Sequence, residues 1–377
     1  MNNKILLSIA IPTYNRAVSL EGLLNCIVPQ AEKIKGGVEI CISNNGSTDN
    51  TGEIVKSFQK KYPDLIKYNE NKENLGFDRN FLKAIEMSEG SFIWTFGDDD
   101  NILENGTGEV IKFLKTISEE NTGLIVVKRE AYFFDSQTGK KIIYHNTLDK
   151  NKPEVFKIDK KNIIIPASFP DIAFISALIW NNRIVEKILR EEKDAIEKGI
   201  GTANIHVPLF CLMFLKYPHI DAFALNKKII CSELPSYKFS IESKFECTYI
   251  RHKKLYSMLL SNKYMNDCYA PVFFKLHEDL RRVFIKDMII LKGFGFFNYF
   301  SYFGCLKLFF QHAIFIDALL FSLVFSVLFL IPAVIIRFMY KVLLMIRHGK
   351  NWRGRWQLAI NINTSLHAAK GDRRESI

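Results

Sequence analysis

Apolar runs alternate with amphipathic stretches over the first hundred residues of this 377-residue chain. Residues 4–11, 38–42, 65–68 and 91–96 are short apolar runs of the kind that form buried strands. Between them, apolar residues recur at helical spacing within 19–27, 51–61 and 77–88. This alternation predicts an α/β fold built on a parallel, doubly wound sheet. Further along the chain, strands are predicted at 123–127, 130–134 and 140–144, the last two paired with each other, and a helix is predicted at 184–196.

Polar, turn-forming segments follow three of these predicted strands: residues 12–16 (PTYNR), 43–49 (SNNGSTD) and 97–100 (GDDD). In such sheets, ligands bind outside the carboxyl ends of the strands, so we expect the three segments to converge on one rim. Three adjacent carboxylates repel one another, and Mg²⁺ or Mn²⁺ would remove that cost. A solvated turn that caps the next helix is the alternative. No glycine-rich dinucleotide or P-loop motif is present.

Four segments in this order resemble family 2 glycosyltransferases of the GT-A fold: 8–16, 42–49, 74–80 and 97–100. Two further segments, 174–179 and 201–207, resemble O-antigen sugar transferases of the abequosyltransferase type. The resemblance implies a Rossmann-like, mostly parallel central sheet flanked by helices. It also implies inverting transfer of a sugar from a nucleotide-sugar donor to an acceptor hydroxyl.

The resemblance assigns donor binding to loop residues: Pro12, Thr13, Tyr14, Arg16, Asn44, Asn45, Arg79 and Asp98. Asn44 stands where the family usually has an aspartate that recognises the base. An asparagine keeps an acceptor and adds a donor, so the identity of the base stays open. Arg79 is expected near the base or the diphosphate, because its planar fork donates two bonds at once.

The carboxylate segment departs from the family order Asp-x-Asp-Asp, because Gly97 occupies the first position. Asp99 then aligns with the usual metal ligand, and Asp100 is the second predicted ligand of Mg²⁺ or Mn²⁺. Asp98 is expected to replace the missing first carboxylate by contacting ribose or a metal-bound water. A cation here would stabilise the charge that develops on the leaving diphosphate.

The general base is predicted from the second half of the chain. The family usually places an acidic residue ahead of a helix there, and residues 204–208 (NIHVP) occupy the corresponding region. His206 is the first candidate, because imidazole titrates near neutral pH. A helix cap or a core position is the other interpretation of His206. Asp171 is the alternative base.

The last third of the chain differs in charge and hydropathy. Residues 1–250 contain 32 Lys and Arg against 33 Asp and Glu, a net charge of −1, whereas residues 251–377 contain 19 against 7, a net charge of +12. Residues 318–336 carry no charge, and this length is near the ~20 residues that span a bilayer. Basic residues beside such a run predict contact with anionic lipids rather than with nucleic acid. A buried core helix or an oligomer interface is the alternative.

A single span would put the basic tail and the catalytic domain on opposite sides of the membrane. Nucleotide-sugars are cytoplasmic, and basic flanks also prefer the cytoplasm. We therefore predict a re-entrant or in-plane apolar hairpin over about 294–346, which Pro332 interrupts near its end. An amphipathic helix at 280–291 would lead into it.

The sequence thus predicts a GT-A catalytic domain over 1–250 and a helical, basic, membrane-associating region over 251–377. The absence of a signal peptide and of regular cysteine spacing favours the cytoplasmic face of a bacterial inner membrane. There the acceptor implied by the resemblance is a polyprenyl-diphosphate-linked glycan. One alternative is a scaffold protein with a metal site degraded by Gly97. A nucleotidyltransferase ranks lower, because residues 12–16 lack its glycine-rich loop.

Overall fold

A computed structural model describes residues 4–134, 141–146, 148–158, 174–233, 285, 288 and 315–348. These residues fall into two compact units. The first contains 4–131 and the described part of 145–233, and the second contains 132–144 and 315–348. The predicted domain boundary near residue 250 lies outside the described residues.

The amino-terminal part alternates strands and helices as predicted. Its elements are β1 (Leu7–Thr13), α1 (Ala17–Glu32), β2 (Val38–Asn44), α2 (Thr51–Lys61), β3 (Ile66–Glu70), α3 (Phe77–Glu86) and β4 (Phe92–Thr95). Every residue of β1, β2 and β4 is buried. Strands covered on both faces need mostly apolar residues at successive positions, which explains these apolar runs. The buried Ser8 of β1 and Glu39 of β2 interrupt them, and the Ser8 hydroxyl donates to the Glu39 carboxylate.

The remainder of the sheet combines two strands of 13 residues with several short strands and helices. Its elements are β5 (Asp100–Ile102), α4 (Gly106–Leu114), β6 (Thr122–Phe134), β7 (Lys141–Asn146), β8 (Val155–Lys157), a 3₁₀ turn (Ile175–Ala177), β9 (Leu178–Asn181), α5 (Asn182–Glu191), α6 (Lys193–Gly199), α7 (His206–Lys216) and β10 (Asp221–Glu233). The predicted pairing of 140–144 with 130–134 is confirmed, because β7 pairs with β6.

The strand order is β3-β2-β1-β4-β9-β6-β10-β5, with β8 paired to β10. The first four strands are parallel. The prediction of a mostly parallel sheet needs correction, because β9 runs antiparallel to both β4 and β6, and β10 runs antiparallel to β5 and β8. The sheet is therefore mixed, and the carboxyl ends of β1, β2 and β4 share one edge.

Helices cover the sheet through apolar faces that the sequence spacing predicts. The buried face of α1 consists of Leu20, Leu23, Leu24, Ile27, Val28 and Ala31. This face belongs to one hydrophobic cluster with strand residues such as Ile9, Ile40 and Trp94. Burial of each large apolar side chain contributes about 1.5–3 kcal/mol. The packing holds the strand ends at fixed positions.

Three element boundaries differ from the sequence prediction. β1 continues through Pro12 to Thr13, because the parallel ladder with β2 extends to Asn44. The two strands predicted at 123–127 and 130–134 are one strand, since the polar pair at 128–129 interrupts the apolar pattern without breaking the backbone. The single helix predicted at 184–196 is two helices, because Glu192 leaves the helical conformation (φ −114°, ψ 34°).

The carboxyl-terminal unit contains α8 (Phe315–Leu330) and α9 (Ala333–His348). Their axes bend by 108° across the break that contains Pro332, as the sequence predicted for this proline. In the part of the chain that the structure describes, each helix by itself is too short or too polar to span a bilayer, and only the bent pair α8–α9 together has the length and composition of a span. The described residues do not include 294–314 of the predicted hairpin. Of the helix predicted at 280–291, they include only residues 285 and 288.

Candidate functional site

The loops after β1 and β2 are tied to each other by side-chain hydrogen bonds. The Asn15 backbone takes a left-handed conformation (φ 50°), and its N–H donates to Ser47 Oγ at 2.9 Å. Its side-chain Oδ1 accepts from the Thr48 N–H at 2.8 Å. Asp49 Oδ2 accepts from the Ala17 N–H, at the start of α1, at 3.1 Å. The two predicted loop segments therefore form one continuous rim.

Asp49 also hydrogen-bonds to Thr51, the first residue of α2. Its Oδ1 accepts from the backbone N–H and the hydroxyl of Thr51. Burial acts to raise the pKa of Asp49, but the hydrogen bonds from Thr51 and Ala17 outweigh it and lower the pKa below its usual value. Asp49 therefore stays charged and holds two helix starts together beside the rim.

The segment after β4 reaches the same rim through Asp98. Its Oδ2 accepts from the Thr13 hydroxyl, at the end of β1, at 2.7 Å. Asp98 is only 9% exposed. Burial raises the pKa of Asp98 to about 6, although the hydrogen bond from Thr13 opposes this shift. The predicted convergence of the β1 and β4 ends is thus confirmed by a direct contact.

Asp99 is the accessible carboxylate of the three. Its Oδ2 accepts from Arg16 Nη1 at 2.9 Å, and 37% of the Asp99 side chain is exposed. The Arg16 side chain is exposed to a similar degree, and Tyr14 lies between Thr13 and Arg16 with an exposed ring. Around Asp99, the open rim therefore brings together a carboxylate, the Arg16 guanidinium and the exposed Tyr14.

Asp100 belongs to a different environment from Asp99. It is the first residue of β5 and is 5% exposed. Its Oδ2 accepts a hydrogen bond from the buried Ser176 hydroxyl. Burial raises the pKa of Asp100 to about 7 against the effect of this hydrogen bond. The structure therefore does not bring the two predicted metal ligands to one accessible position, and Asp100 is the weaker candidate.

A three-ligand metal site is absent from the described part of the chain. No group of three or more His, Cys, Asp or Glu side chains there has an arrangement that holds a metal ion. The three consecutive carboxylates contact three different partners, Thr13, Arg16 and Ser176. A cation at this rim would need oxygen ligands from a bound substrate as well as from the protein.

The two asparagines predicted to contact the nucleotide are buried and engaged in loop structure. Asn44 accepts from the Ser47 N–H at 3.1 Å and donates to the Tyr68 hydroxyl at 2.9 Å. Asn45 donates to Asn74 Oδ1 at 2.8 Å and accepts from the Leu75 N–H at 2.9 Å. Both amides therefore shape the loops around the rim.

The first turn of α3 connects the rim to other parts of the fold. Asn80 Nδ2 donates to the carbonyl oxygens of Ser43 (2.9 Å) and Thr13 (3.3 Å), at the ends of β2 and β1. Arg79, predicted near the base or the diphosphate, pairs with Glu197 of α6, and both side chains are largely exposed. Arg79 is thus at the surface on the first turn of the helix that supports the rim.

Asp78 is a site-supporting residue that the sequence analysis missed. Its buried carboxylate accepts from the backbone N–H groups of Gly201 (2.7 Å), Ala203 (2.9 Å) and Ile205 (3.1 Å). Ala203 has a left-handed backbone (φ 54°). One carboxylate therefore fixes the loop that leads into α7. An acidic residue in the first turn of a helix was the available signal, but it does not identify a partner more than a hundred residues away.

Of the two residues predicted as the general base, the structure describes only His206. His206 is the first residue of α7, is 1% exposed and packs with its ring centroid 6.0 Å from that of Phe81. This burial favours the core interpretation and argues against direct contact with an acceptor. Asp171 lies outside the described residues. The general base therefore stays a prediction.

Comparisons with known proteins agree with the resemblance. Residues 8–176 match the model described as Glycosyl transferase family 2. Abequosyltransferase RfbV of Salmonella typhimurium is 31% identical over 221 residues, which cover 56% of this chain and 61% of that protein. The Campylobacter jejuni GalNAc(5)-diNAcBac-PP-undecaprenol beta-1,3-glucosyltransferase is 26% identical over 191 residues, or 48% of this chain and 60% of that protein. The alignments thus span about three fifths of these relatives.

Among solved structures, residues 1–349 of S. aureus TarS align with a TM-score of 0.47 and 17% identity, over 69% of this chain and 66% of that chain.

Proposed function

We propose that the chain, whose residues 8–176 match the model described as Glycosyl transferase family 2, transfers a sugar from a nucleotide-sugar donor to a lipid-linked glycan. The observation that carries this proposal is the joint rim at the ends of β1, β2 and β4, where Asp98 meets Thr13 and Asp99 meets Arg16. An anionic diphosphate needs positive charge, and an accessible carboxylate suits a bridging cation. The rim offers both.

The donor is proposed to bind along the open side of this rim. Tyr14 offers an exposed ring for the base, and Arg16 offers a planar set of donors for phosphate oxygens. Asn44 and Asn45 act indirectly, by holding the loops that line the site. Pro12 and Thr13 end the strand that positions Tyr14. Arg79 is proposed to approach the diphosphate after leaving Glu197.

Asp99 is the residue that would hold Mg²⁺ or Mn²⁺. Magnesium sites commonly use one or two protein carboxylates together with substrate phosphates and water, so the accessible carboxylate of Asp99 fits. A bound divalent cation supplies stabilisation of the negative charge that develops on the leaving diphosphate. Asp98 lies beside Asp99 and holds the loop to β1. Arg16 contributes a fixed positive charge at the same place.

The reaction is proposed to be a single inverting displacement by an acceptor hydroxyl. A base that takes the hydroxyl proton is typically worth about 10²–10⁴ in rate. His206 would have to become exposed to serve this role, and Asp171 is the other candidate. The acceptor is proposed to be a polyprenyl-diphosphate-linked glycan of an O-antigen-like polysaccharide, by similarity to the relatives described above.

Membrane association is proposed from the surface of α8 and α9. The exposed apolar residues of this pair include Leu319, Leu323, Val327, Leu330, Val334, Phe338, Met339 and Ile346. No acidic residue occurs between Asp317 and Asp372, whereas Arg337 and Lys341 lie within α9. An anionic bilayer matches both the apolar surface and the positive charge. We place the chain at the cytoplasmic face of a bacterial inner membrane.

Vesicle flotation tests the membrane proposal. The full chain should float with vesicles that contain phosphatidylglycerol and much less with neutral vesicles. Leu323→Asn, on the exposed face of α8, should reduce flotation, whereas Asp64→Asn, in the turn before β3, should not. Equal flotation of wild type and Leu323→Asn, or no flotation of wild type, would contradict the proposed surface.

A donor screen tests the transferase proposal itself. Release of nucleoside diphosphate would be measured for UDP-, GDP-, CDP- and dTDP-sugars with Mn²⁺ or with EDTA. We expect turnover of one nucleotide class that requires the metal. No turnover of any donor, with detergent and a lipid acceptor present, would favour the scaffold alternative.

A further inference from the structure

Gly97, Ser176 and Asp100 form a buried contact behind the open rim. The Gly97 N–H donates to Ser176 Oγ at 2.8 Å, and the Ser176 hydroxyl donates to Asp100 Oδ2. The Asp100 N–H donates back to the Gly97 carbonyl oxygen at 3.3 Å, which closes a turn around Asp98 and Asp99. One serine hydroxyl therefore binds both ends of the carboxylate segment.

Glycine at position 97 is a condition for this arrangement. A Cβ at that position would lie 2.9 Å from Asp100 Oδ2, 3.3 Å from Asp99 Oδ1 and 3.3 Å from Ser176 Oγ. The first distance is shorter than real Cβ contacts, so any larger residue would displace the Asp100 carboxylate. The family's usual aspartate at the first position would thus require the Asp100 carboxylate to shift from its inward position.

Rigid neighbours hold Ser176 and Asp100 in place. The Ser176 carbonyl oxygen accepts from the Trp94 indole N–H at 2.7 Å, and the adjacent Ile175 carbonyl oxygen accepts from Thr95 Oγ1 at 2.8 Å. Both bonds tie the 3₁₀ turn to β4. Asp100 is aligned with Ser232 in the antiparallel pairing of β5 with β10. The contact therefore joins β4, β5 and β10 behind the rim.

We infer that Asp100 is a positioning residue rather than a metal ligand, and that Gly97 and Ser176 are its partners. Together they fix the turn that presents Asp98 to Thr13 and leaves Asp99 open beside Arg16. Gly97 then departs from the family order because it leaves room for Asp100 and Ser176 to fix the turn, and it is not a sign of a degraded metal site. The inference rests on the proposed function for its effect on turnover, but the contact itself is independent of it.

The test of this role compares amide and alanine replacements. Asp100→Asn keeps an oxygen acceptor for Ser176 but removes the carboxylate that a metal ligand needs. We expect Asp100→Asn to retain turnover within about threefold, with an unchanged Mn²⁺ concentration at half-maximal turnover. Asp100→Ala and Ser176→Ala should each lose about 10–100-fold, the usual range for residues that orient a site. The double variant should lose little more than either single variant.

Asp99→Asn is the matched comparison, because it changes the same group one residue away. We expect it to raise the Mn²⁺ requirement or abolish turnover. If Asp100→Asn raised the Mn²⁺ requirement tenfold or more, as expected for Asp99→Asn, the positioning role would be overturned and Asp100 would be a ligand.

A thermal-unfolding cycle tests the contact without any activity assay. Gly97→Ala should lower Tm by about 2–4 °C, because the added methyl group meets the Asp100 carboxylate. In the Asp100→Ala background the same change should lower Tm by much less. An equal loss in both backgrounds would overturn the proposed contact. Because this cycle needs no donor, an inactive wild type would refute the proposed function while the cycle still decides the contact.

Discussion

Asp99 keeps 37% of its side chain exposed on the rim beyond the parallel strands, whereas Asp100 starts an antiparallel strand and is 5% exposed. The first contacts Arg16, on a loop that the solvent reaches, and the second contacts the fully buried Ser176. Neighbouring carboxylates thus belong to two regions with different tasks. The parallel part leaves polar groups open at the rim, where we propose that the donor binds, and the antiparallel part uses its polar groups to fix the backbone.

Replacement of Asp99 by alanine should give the largest effect on function. Removal of the accessible carboxylate takes away the proposed cation ligand, and we expect donor turnover to fall by about 10²–10³-fold. Nucleoside diphosphate release at saturating Mn²⁺ measures this loss. Glu104→Ala is the control, because Glu104 is also an exposed acid a few residues away. If Asp99→Ala kept wild-type turnover, Asp99 would not be part of the donor or metal site.

Asp78→Asn should give the largest loss of stability. The Asp78 carboxylate accepts three backbone N–H groups from the loop before α7. Hydrogen bonds to a charged group are worth about 1.5–3 kcal/mol each, and an amide can replace only part of them, so the free energy of unfolding should fall by about 2–3 kcal/mol. Urea unfolding gives this value. A loss no larger than that of the exposed control Asp64→Asn would show that the loop is held by other contacts.

Arg16→Lys should have an intermediate effect on the rim. Lysine keeps the positive charge but loses the planar pair of donors that suits a diphosphate. We expect the KM for the donor to rise by about tenfold, or about 1.4 kcal/mol, with a smaller change in kcat. Steady-state kinetics on the donor found by screening separates the two constants. A kcat loss at constant KM would instead assign Arg16 to the transition state alone.

Glu197→Gln should have the smallest effect. The pair with Arg79 is exposed, and such pairs contribute about 0–1 kcal/mol. We expect unfolding free energy within about 0.5 kcal/mol of wild type and an unchanged or slightly lower donor KM, since Arg79 is released towards the diphosphate. A raised donor KM would indicate that Glu197 itself holds Arg79 in its working position.

The parallel part of the fold was largely predictable because its signals are local. Apolar runs mark the buried strands, and the polar segments that follow them mark the carboxyl ends. Parallel pairing then requires that Thr13 and the residues after β4 meet at one edge, as the Thr13–Asp98 hydrogen bond confirms. The ranking of Asp99 before Asp100 came instead from the resemblance, and Asp99 is the more accessible of the two.

The antiparallel part was less predictable because its contacts are distant in sequence. Asp100 meets Ser176 and Asp78 meets Gly201, and no local pattern reports such partners. His206 was chosen because residues 204–208 correspond to the region where the family usually places its acidic residue, and because imidazole titrates near neutral pH. The surrounding sequence of α7 (HVPLFCLMFLK) is apolar on all sides, and this pattern was the available signal that His206 is a core residue.

The most direct test of the proposed function is analysis of the reaction product. The full chain, the donor identified by screening, Mn²⁺ and a polyprenyl-diphosphate-linked glycan in vesicles would be incubated together. Mass spectrometry and NMR would then be applied to the lipid fraction. The account predicts a lipid that is heavier by one sugar residue, with an anomeric configuration inverted from that of the donor, and no such product with Asp99→Ala. Donor consumption that yields only free sugar, or product formation that is unchanged in Asp99→Ala, would contradict it.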